Sequence, residues 1–104
     1  MKCLDDCHTY ELDNFDPRSG AAPQQVIHFY RMALDGTKTN GVTNEEVISC
    51  LLHRLNFLNE KWMDGKFRCR ENSLAITKLE EALMWLNRRT ANRIDRGVEA
   101  THNA

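Results

Sequence analysis

The hydrophobic positions in the last third of the chain follow the period of one long amphipathic helix. Apolar residues recur three or four positions apart and share one face: Ala75, Leu79, Ala82, Leu83 and Leu86. This spacing predicts a helix from about Arg70 to about Arg96, ending before Gly97, whose apolar face packs against another element.

Arginines replace apolar residues where this face continues beyond Leu86. Positions 89 and 93 fall on the same face, and Arg88 and Arg96 crowd the same end of the helix. A guanidinium on the buried side of a helix is unfavourable unless an anion or planar acceptor satisfies it, so Arg89 and Arg93 predict a site for an anionic ligand. Alternatively, positive charge near the C-terminal end of the helix complements the helix macrodipole, which accounts for Arg88 and Arg96.

A second amphipathic helix is predicted immediately before the first. Thr43 and Glu46 have the spacing of a capping box, and one face then carries the apolar residues Ile48, Leu51, Leu52, Leu55 and Leu58. Trp62 falls on the extension of that face, and Asp64-Gly65 is expected to end the helix. Because the connection to the next helix is short, the two helices should form an antiparallel hairpin.

The N-terminal part of the chain has strand and turn signals. His8–Leu12 and Gln25–Met32 are rich in β-favouring residues, and Asp35-Gly36 suits a type I′ turn leading to a return strand within Thr37–Val42. The predicted fold is therefore α+β. A single domain, 1–104, combines a β-rich part (1–42) with a helical hairpin (43–104), and its small size and apolar helix faces favour a homo-oligomer.

Composition limits the functions that this chain can have. The net charge is -1, so a broad cationic surface for long nucleic acid is not expected. No apolar run approaches the roughly 20 residues of a membrane span, and the N-terminal residues lack a signal-peptide pattern, which predicts a soluble intracellular protein. Cys3, Cys7 and His8 lack a second ligand pair at zinc-site spacing. Free thiols are predicted instead of a metal, with Cys50 and Cys69 partly buried.

Two further residues are candidate ligand contacts. Asn72 suits a cap near the start of the C-terminal helix, and Trp62 suits either the core or a platform on which a nucleobase stacks. Asn72 and Arg89 are 17 positions apart, or about 25 Å along a straight helix. If both serve one small ligand, the site must be shared across an antiparallel dimer. No catalytic motif is present in the sequence, so an enzyme is not expected.

Three segments resemble a known family of phage proteins. Asn40–Val47, Cys69–Leu86 and Arg89–His102 are similar to the first family of phage Thoeris anti-defence proteins, which shares a helical-hairpin core with the phage sponge that counters CBASS immunity. His8–Phe15 and Gln25–Phe29 also fit the strand portion of such proteins.

The resemblance implies a non-enzymatic sponge in the cytoplasm of the infected bacterium. It would hold cyclic ADP-ribose isomers made by TIR-domain enzymes, chiefly glycocyclic ADP-ribose, and in some members cyclic di- or trinucleotides at separate sites. It also implies dimers that can assemble into hexamers as trimers of dimers. No cofactor, metal, nucleic acid or membrane partner is implied.

The family pattern can be carried onto individual residues of this chain. Trp62 matches an aromatic position, often Phe, that stacks on the adenine, and Asn72 matches a ligand-contacting Asn. Arg89 and Arg93 match arginines that hold the pyrophosphate, and Arg88 lies beside them at a position lining the pocket. The link from Lys61 to Phe67 departs from the usual pattern, and the larger indole could narrow the pocket or change the preferred isomer.

Two alternatives belong to other functional classes. A nucleic-acid-binding accessory protein would place the arginine cluster on a phosphate backbone and show steep salt dependence. A protein–protein adaptor would offer the same helix to a host partner and would gain no stability from a small ligand.

Overall fold

The computed structural model describes residues 1–16, 18 and 24–95, which group into two compact units divided after Thr43. The N-terminal unit contains strands β1 (Lys2–Cys3), β2 (Thr9–Leu12), β3 (Gln25–His28), β4 (Arg31–Met32) and β5 (Lys38–Thr39). The second unit contains helix α1 (Asn44–Glu60), a short 3₁₀ turn (Trp62–Gly65) and helix α2 (Arg70–Asp95). The predicted α+β class, with small antiparallel strands followed by two helices, is confirmed.

The first three strands form one antiparallel sheet in the order β1-β2-β3. Tyr10 lies opposite Cys3 on one side and Ile27 on the other. The Tyr10 ring also meets Phe29 edge to face, with ring centroids 5.8 Å apart. The strand predicted at His8–Leu12 is confirmed, whereas β1 was not predicted because two residues are too few to show an alternating pattern.

The predicted hairpin around Asp35-Gly36 is present with a different turn. Strands β4 and β5 pair antiparallel, with Met32 opposite Lys38. The backbone N–H of Gly36 donates to the Ala33 carbonyl at 3.0 Å, and Gly36 has a φ of 88°. Asp35 is not among the residues with positive φ, so the predicted type I′ turn is wrong. The loop is a three-residue connection whose glycine takes the left-handed position.

Helix α1 begins directly after Thr43, as the capping-box spacing predicts, but it ends earlier than expected. Its last residue is Glu60 rather than a position next to Asp64-Gly65. Trp62 therefore does not extend the apolar face of α1, and Leu51 is exposed. The less exposed side of the helix is formed mainly by Ile48, Leu52, Leu55, Leu58 and Asn59.

Helix α2 has the predicted start, and its predicted end at Arg96 lies outside the described residues. Its face toward α1 differs from the predicted one. The partly or largely buried positions alternate by four and three residues: Asn72, Ile76, Leu79, Leu83, Leu86, Thr90 and Arg93. Ala75 and Ala82 are exposed. This heptad-like spacing is typical of two helices packed side by side.

The core of the helical unit is small. Among the described residues, Ile76 is the one apolar residue that is largely buried, at 8% exposure, and Asn59 is the one polar residue, at 6%. Cys50 and Cys69 are exposed, so the prediction that they are partly buried is wrong. No described helix has both the length and the apolar character required to cross a membrane.

Candidate ligand-binding site

The link between the two helices is an unusual turn. Met63 and Asp64 have φ angles of 47° and 57°, in the left-handed region that non-glycine residues rarely occupy. Successive backbone hydrogen bonds hold the turn, from Asp64 N–H to the Lys61 carbonyl and from Lys66 N–H to the Met63 carbonyl. Left-handed residues cannot continue a right-handed helix, which is why α1 ends before Trp62.

Trp62 begins this turn and rests against the last part of α1. The centroids of the Trp62 and Phe57 rings are 5.8 Å apart, with the planes tilted by 54°. Trp62 nevertheless remains 43% exposed. The indole is therefore held by an aromatic neighbour while much of its surface is accessible, an arrangement that suits a stacking platform better than a core position.

Asn72 is half-buried in the first turn of α2. Its side-chain Nδ2 donates to the Phe67 carbonyl at 3.1 Å, and its backbone N–H donates to Cys69 Sγ at 3.4 Å. The structure thus gives Asn72 a local role at the start of α2, where its side chain ties the first turn to the Phe67 carbonyl of the link. The carboxamide oxygen is a separate acceptor, so this role is compatible with a ligand contact as well.

A buried asparagine that is not among the residues predicted from the sequence joins the end of α1 to the start of α2. Asn59 Oδ1 accepts from the backbone N–H of Cys69 at 3.1 Å, and Asn59 Nδ2 donates to Ser73 Oγ at 3.2 Å. Arg68 Nε donates to the Asn59 carbonyl at 3.3 Å. These bonds fix the link, and with it Trp62 and Asn72. The available signal was a polar residue seven positions after Leu52, on the apolar face of α1.

The arginines lie near the other end of α2 and differ in exposure. Arg93 is partly buried and continues the face that packs on α1, as predicted. Arg89 is exposed, so its predicted place on that face is wrong, and Thr90 occupies the face instead. Arg89 and Arg93 still lie about one helical turn apart along α2, because four residues advance a helix by about 6 Å.

Arg88 is held by a neighbouring aromatic residue on the exposed side of α2. Its guanidinium carbon lies 5.5 Å from the centroid of the Trp85 ring, the geometry of a cation–π contact. Trp85 is 54% exposed, so this pair forms a cationic and aromatic surface beside Arg89. Arg88 is a candidate from the sequence pattern, whereas Trp85 is not.

The structure brings the candidate residues together in two groups and does not bring the groups together. Trp62 and Asn72 lie at the link end of the hairpin, whereas Arg88, Arg89 and Arg93 lie toward the opposite end. Along α2, Asn72 and Arg89 are about 25 Å apart. No group of three or more His, Cys, Asp or Glu side chains within residues 1–16, 18 and 24–95 has a metal-binding arrangement.

The helical part of the chain matches a known protein family. The family model described as "Acb2/Tad1, hairpin domain" matches residues 23–91, about two thirds of the chain. The chain belongs to the Acb2/Tad1 hairpin-domain family. Its matched segment includes α1, the link turn and most of α2, and it contains Trp62, Asn72, Arg88 and Arg89. Arg93 lies two residues beyond the match.

A curated relative gives a second comparison within the Acb2/Tad1 hairpin-domain family. The chain is similar to "Thoeris anti-defense 1" of Bacillus phage SBSphiJ7, with 57% identity over 63 residues. The similar region covers 61% of this chain and 42% of the relative. The similarity therefore concerns less than half of the relative's length. Together with the family match, it confirms the family resemblance that the sequence motifs indicate.

Proposed function

We propose that this protein is a phage anti-defence sponge that binds a TIR-derived cyclic ADP-ribose isomer, chiefly glycocyclic ADP-ribose, and holds it without cleavage. Membership of the Acb2/Tad1 hairpin-domain family and the similarity to a Thoeris anti-defence protein of a Bacillus phage support the anti-defence role. The observation that carries the proposal is the division of the candidate residues between the link end and the opposite end of the helical hairpin.

Each group supplies contacts that one part of such a ligand needs. The guanidiniums of Arg89 and Arg93 can donate charge-assisted hydrogen bonds to a pyrophosphate, and Arg88 adds positive charge beside them. The partly exposed indole of Trp62 can stack on a nucleobase, an interaction of about 1–3 kcal/mol. Sequestration needs only these binding contacts, because the ligand is retained and no bond is broken.

A pocket shared by two chains would allow one ligand to contact both groups of residues despite their separation within one chain. A cyclic ADP-ribose isomer is much shorter than the about 25 Å between Asn72 and Arg89 along one helix. In an antiparallel dimer, the link end of one hairpin lies beside the arginine end of the other. We therefore assign Trp62 and Asn72 of one protomer and the three arginines of its partner to the same pocket.

The surface of the helical unit supports self-association. Its exposed large apolar side chains include Leu51, Phe57, Leu74, Met84, Trp85 and Ile94. The exposed alanines of α2, Ala75 and Ala82, lie seven residues apart and permit close approach of another helix. A helical hairpin with so few buried apolar residues gains stability by covering such surface with a second copy. Dimers, and hexamers built as trimers of dimers, are the proposed assemblies.

A ligand panel tests the proposed activity. Calorimetry or thermal shift would be measured with glycocyclic ADP-ribose isomers, cyclic di- and trinucleotides, and short DNA. We expect binding of a cyclic ADP-ribose isomer and recovery of the intact ligand after heat denaturation. Cleaved ligand would contradict the sponge mechanism. Binding only to DNA with steep salt dependence would favour the nucleic-acid alternative, and no ligand response at all would favour an adaptor.

A mixing experiment tests the shared pocket directly. One variant carries Arg89→Ala and Arg93→Ala, and the other carries Trp62→Ala and Asn72→Ala. Neither homodimer should bind, but a purified heterodimer should regain one intact pocket out of two, since the unmodified arginines and the unmodified Trp–Asn pair then face each other. A heterodimer that binds no ligand, while each variant remains folded and dimeric, would refute the two-chain assignment.

A further inference from the structure

Two cysteines meet at the connection between strands β1 and β2. Cys3 Sγ and Cys7 Sγ are 4.0 Å apart, and both residues are exposed and free of a disulfide. Cys3 ends β1, whereas Cys7 lies in the loop before β2 with a φ of 63°. The left-handed backbone at Cys7 turns the loop back, so two thiols four residues apart lie almost in contact.

Polar groups around the pair keep this geometry in place. Cys3 Sγ donates to the Asp5 carbonyl at 2.9 Å, and the backbone N–H of Cys7 donates to the same oxygen. Leu4 N–H donates to the Thr9 carbonyl at 2.8 Å, which closes the loop behind the thiols. The sulfurs are therefore held close together by hydrogen bonds that do not depend on a disulfide.

The phenol of Tyr10 belongs to the same cluster. It faces Cys3 across the β1–β2 pair, and a side-chain hydrogen bond with Cys7 is the main reason that its pKa is raised to about 12. Burial and the negative charge of the two sulfurs in their thiolate form also raise this pKa. The phenol is thus sensitive to whether the sulfurs are present as thiolates.

We propose that Cys3 and Cys7 form an oxidation-sensitive dithiol that closes to an intramolecular disulfide when it reacts with hydrogen peroxide. The inference rests on the N-terminal unit alone and does not depend on the proposed function of the helical hairpin. Disulfide formation requires the sulfurs to approach from 4.0 Å to about 2 Å, a movement that rotation of exposed side chains can supply.

The reaction balances as a two-electron oxidation of the thiol pair. One thiolate attacks a peroxide oxygen, the O–O bond breaks, and the departing hydroxide takes a proton to become water, leaving a sulfenic acid. The second thiolate attacks the sulfenic sulfur, the S–O bond breaks, and a second water forms. The two sulfurs are oxidised to one disulfide, and one peroxide is reduced to two waters. The product links the end of β1 to the loop before β2.

The test uses the full chain with Cys50→Ser and Cys69→Ser, so that only the proposed pair can react. Serine at position 69 keeps an acceptor for the Asn72 N–H. After treatment with hydrogen peroxide we expect loss of both thiols, a mass lower by two hydrogens, and a peptide map that joins Cys3 to Cys7. A thiol reductant should restore the original mass.

Two further variants, Cys3→Ser and Cys7→Ser in the same background, are the matched controls. Each variant should accumulate a sulfenic acid that dimedone traps. The protein that keeps both Cys3 and Cys7 should give about tenfold less dimedone adduct, because the second thiol converts the sulfenic acid to a disulfide. Equal trapping in all three proteins, or disulfides formed only between chains, would overturn the proposal.

The Tyr10 titration is a second readout. Since a disulfide has no thiolate charge and no thiol to pair with the phenol, oxidation should lower the Tyr10 pKa from about 12 toward the ordinary value of 10.0. Absorbance of tyrosinate measures this change, and Tyr10→Phe identifies the contribution of Tyr30. An unchanged Tyr10 pKa in a sample whose map joins Cys3 to Cys7 would contradict the proposed arrangement around the phenol.

Discussion

The side-chain oxygen of Asn59 accepts the backbone N–H of Cys69 at 3.1 Å, across a link of nine residues. Asn59 is 6% exposed, so this bond forms in a largely dry environment. The first N–H groups of a helix have no partner within the helix, and Asn59 satisfies the one immediately before α2. One buried side chain thereby sets where α2 starts relative to the end of α1.

Replacement of Asn59 should destabilise the helical unit. Asn59→Ala leaves the Cys69 N–H and the Ser73 hydroxyl without their partner, which costs about 1–3 kcal/mol in the free energy of unfolding. Urea denaturation measures the effect. Asn56→Ala is the matched control, since Asn56 Nδ2 donates only to the Leu52 carbonyl within α1. An equal loss in both variants would contradict the linking role of Asn59.

Gly41 should tolerate no side chain. A Cβ atom there would lie 2.5 Å from the Phe29 carbonyl carbon and 2.6 Å from the His28 carbonyl oxygen, and neither backbone atom can move aside cheaply. Gly41→Ala should therefore disrupt the pairing of Phe29 with Val42, at a cost of about 1–3 kcal/mol or more. Thermal melting and exchange of the Tyr30 amide, which donates to the Val42 carbonyl, measure the loss.

Gly36→Ala is the matched control for Gly41→Ala. Its Cβ would meet nothing within 4 Å, so only the φ of 88° opposes the change. We expect a smaller loss, about 1 kcal/mol. A larger loss for Gly36→Ala than for Gly41→Ala would show that the close backbone approach at Gly41 is not limiting.

The stability of the N-terminal unit should fall in acid through Asp5. Burial opposes ionisation of Asp5, but hydrogen bonds from the His8 N–H, the Thr9 hydroxyl and the Thr9 N–H outweigh it and lower its pKa below 3.8. A lowered folded-state pKa stabilises the fold above the unfolded value and loses that contribution as pH falls through the folded value.

The melting temperature of wild type and Asp5→Asn across pH 2 to 6 tests this linkage. Wild type should exceed Asp5→Asn above about pH 4, and the difference should shrink as the pH falls below 3.8. A difference that stays constant over the whole range would mean that ionised Asp5 does not support the loop.

The arginines should control ligand affinity without controlling the fold. Arg89→Ala should weaken binding of glycocyclic ADP-ribose by about 1.5–3 kcal/mol, roughly 10- to 150-fold, because a charge-assisted hydrogen bond is lost. Arg93→Ala should lose a comparable amount. Lys78→Ala is the charge-matched control, as Lys78 is exposed on α2 and pairs with Glu81 at 3.9 Å. Calorimetry showing wild-type affinity in both arginine variants would refute the pocket assignment.

Local sequence signals were sufficient to predict the larger elements. The α+β class, the start of α1 after Thr43 and the start of α2 near Arg70 all follow from local signals: a capping box, an amphipathic repeat and turn residues. These signals suffice because they act between residues close together in the chain, where backbone geometry leaves few alternatives. The position of Arg93 on the packed face of α2 also follows from the repeat.

Only the tertiary structure decided which residues beside the apolar repeat of α2 are covered by α1. Successive helical residues differ by about 100°, so the packing of α1 determines that Thr90 rather than Arg89 is partly buried. The left-handed turn at Met63 and Asp64 ends α1 early and places Trp62 against Phe57, and Asn59 secures that turn through contacts with Cys69 and Ser73. Such contacts join residues on different elements, so their geometry exists only once the helices have packed together.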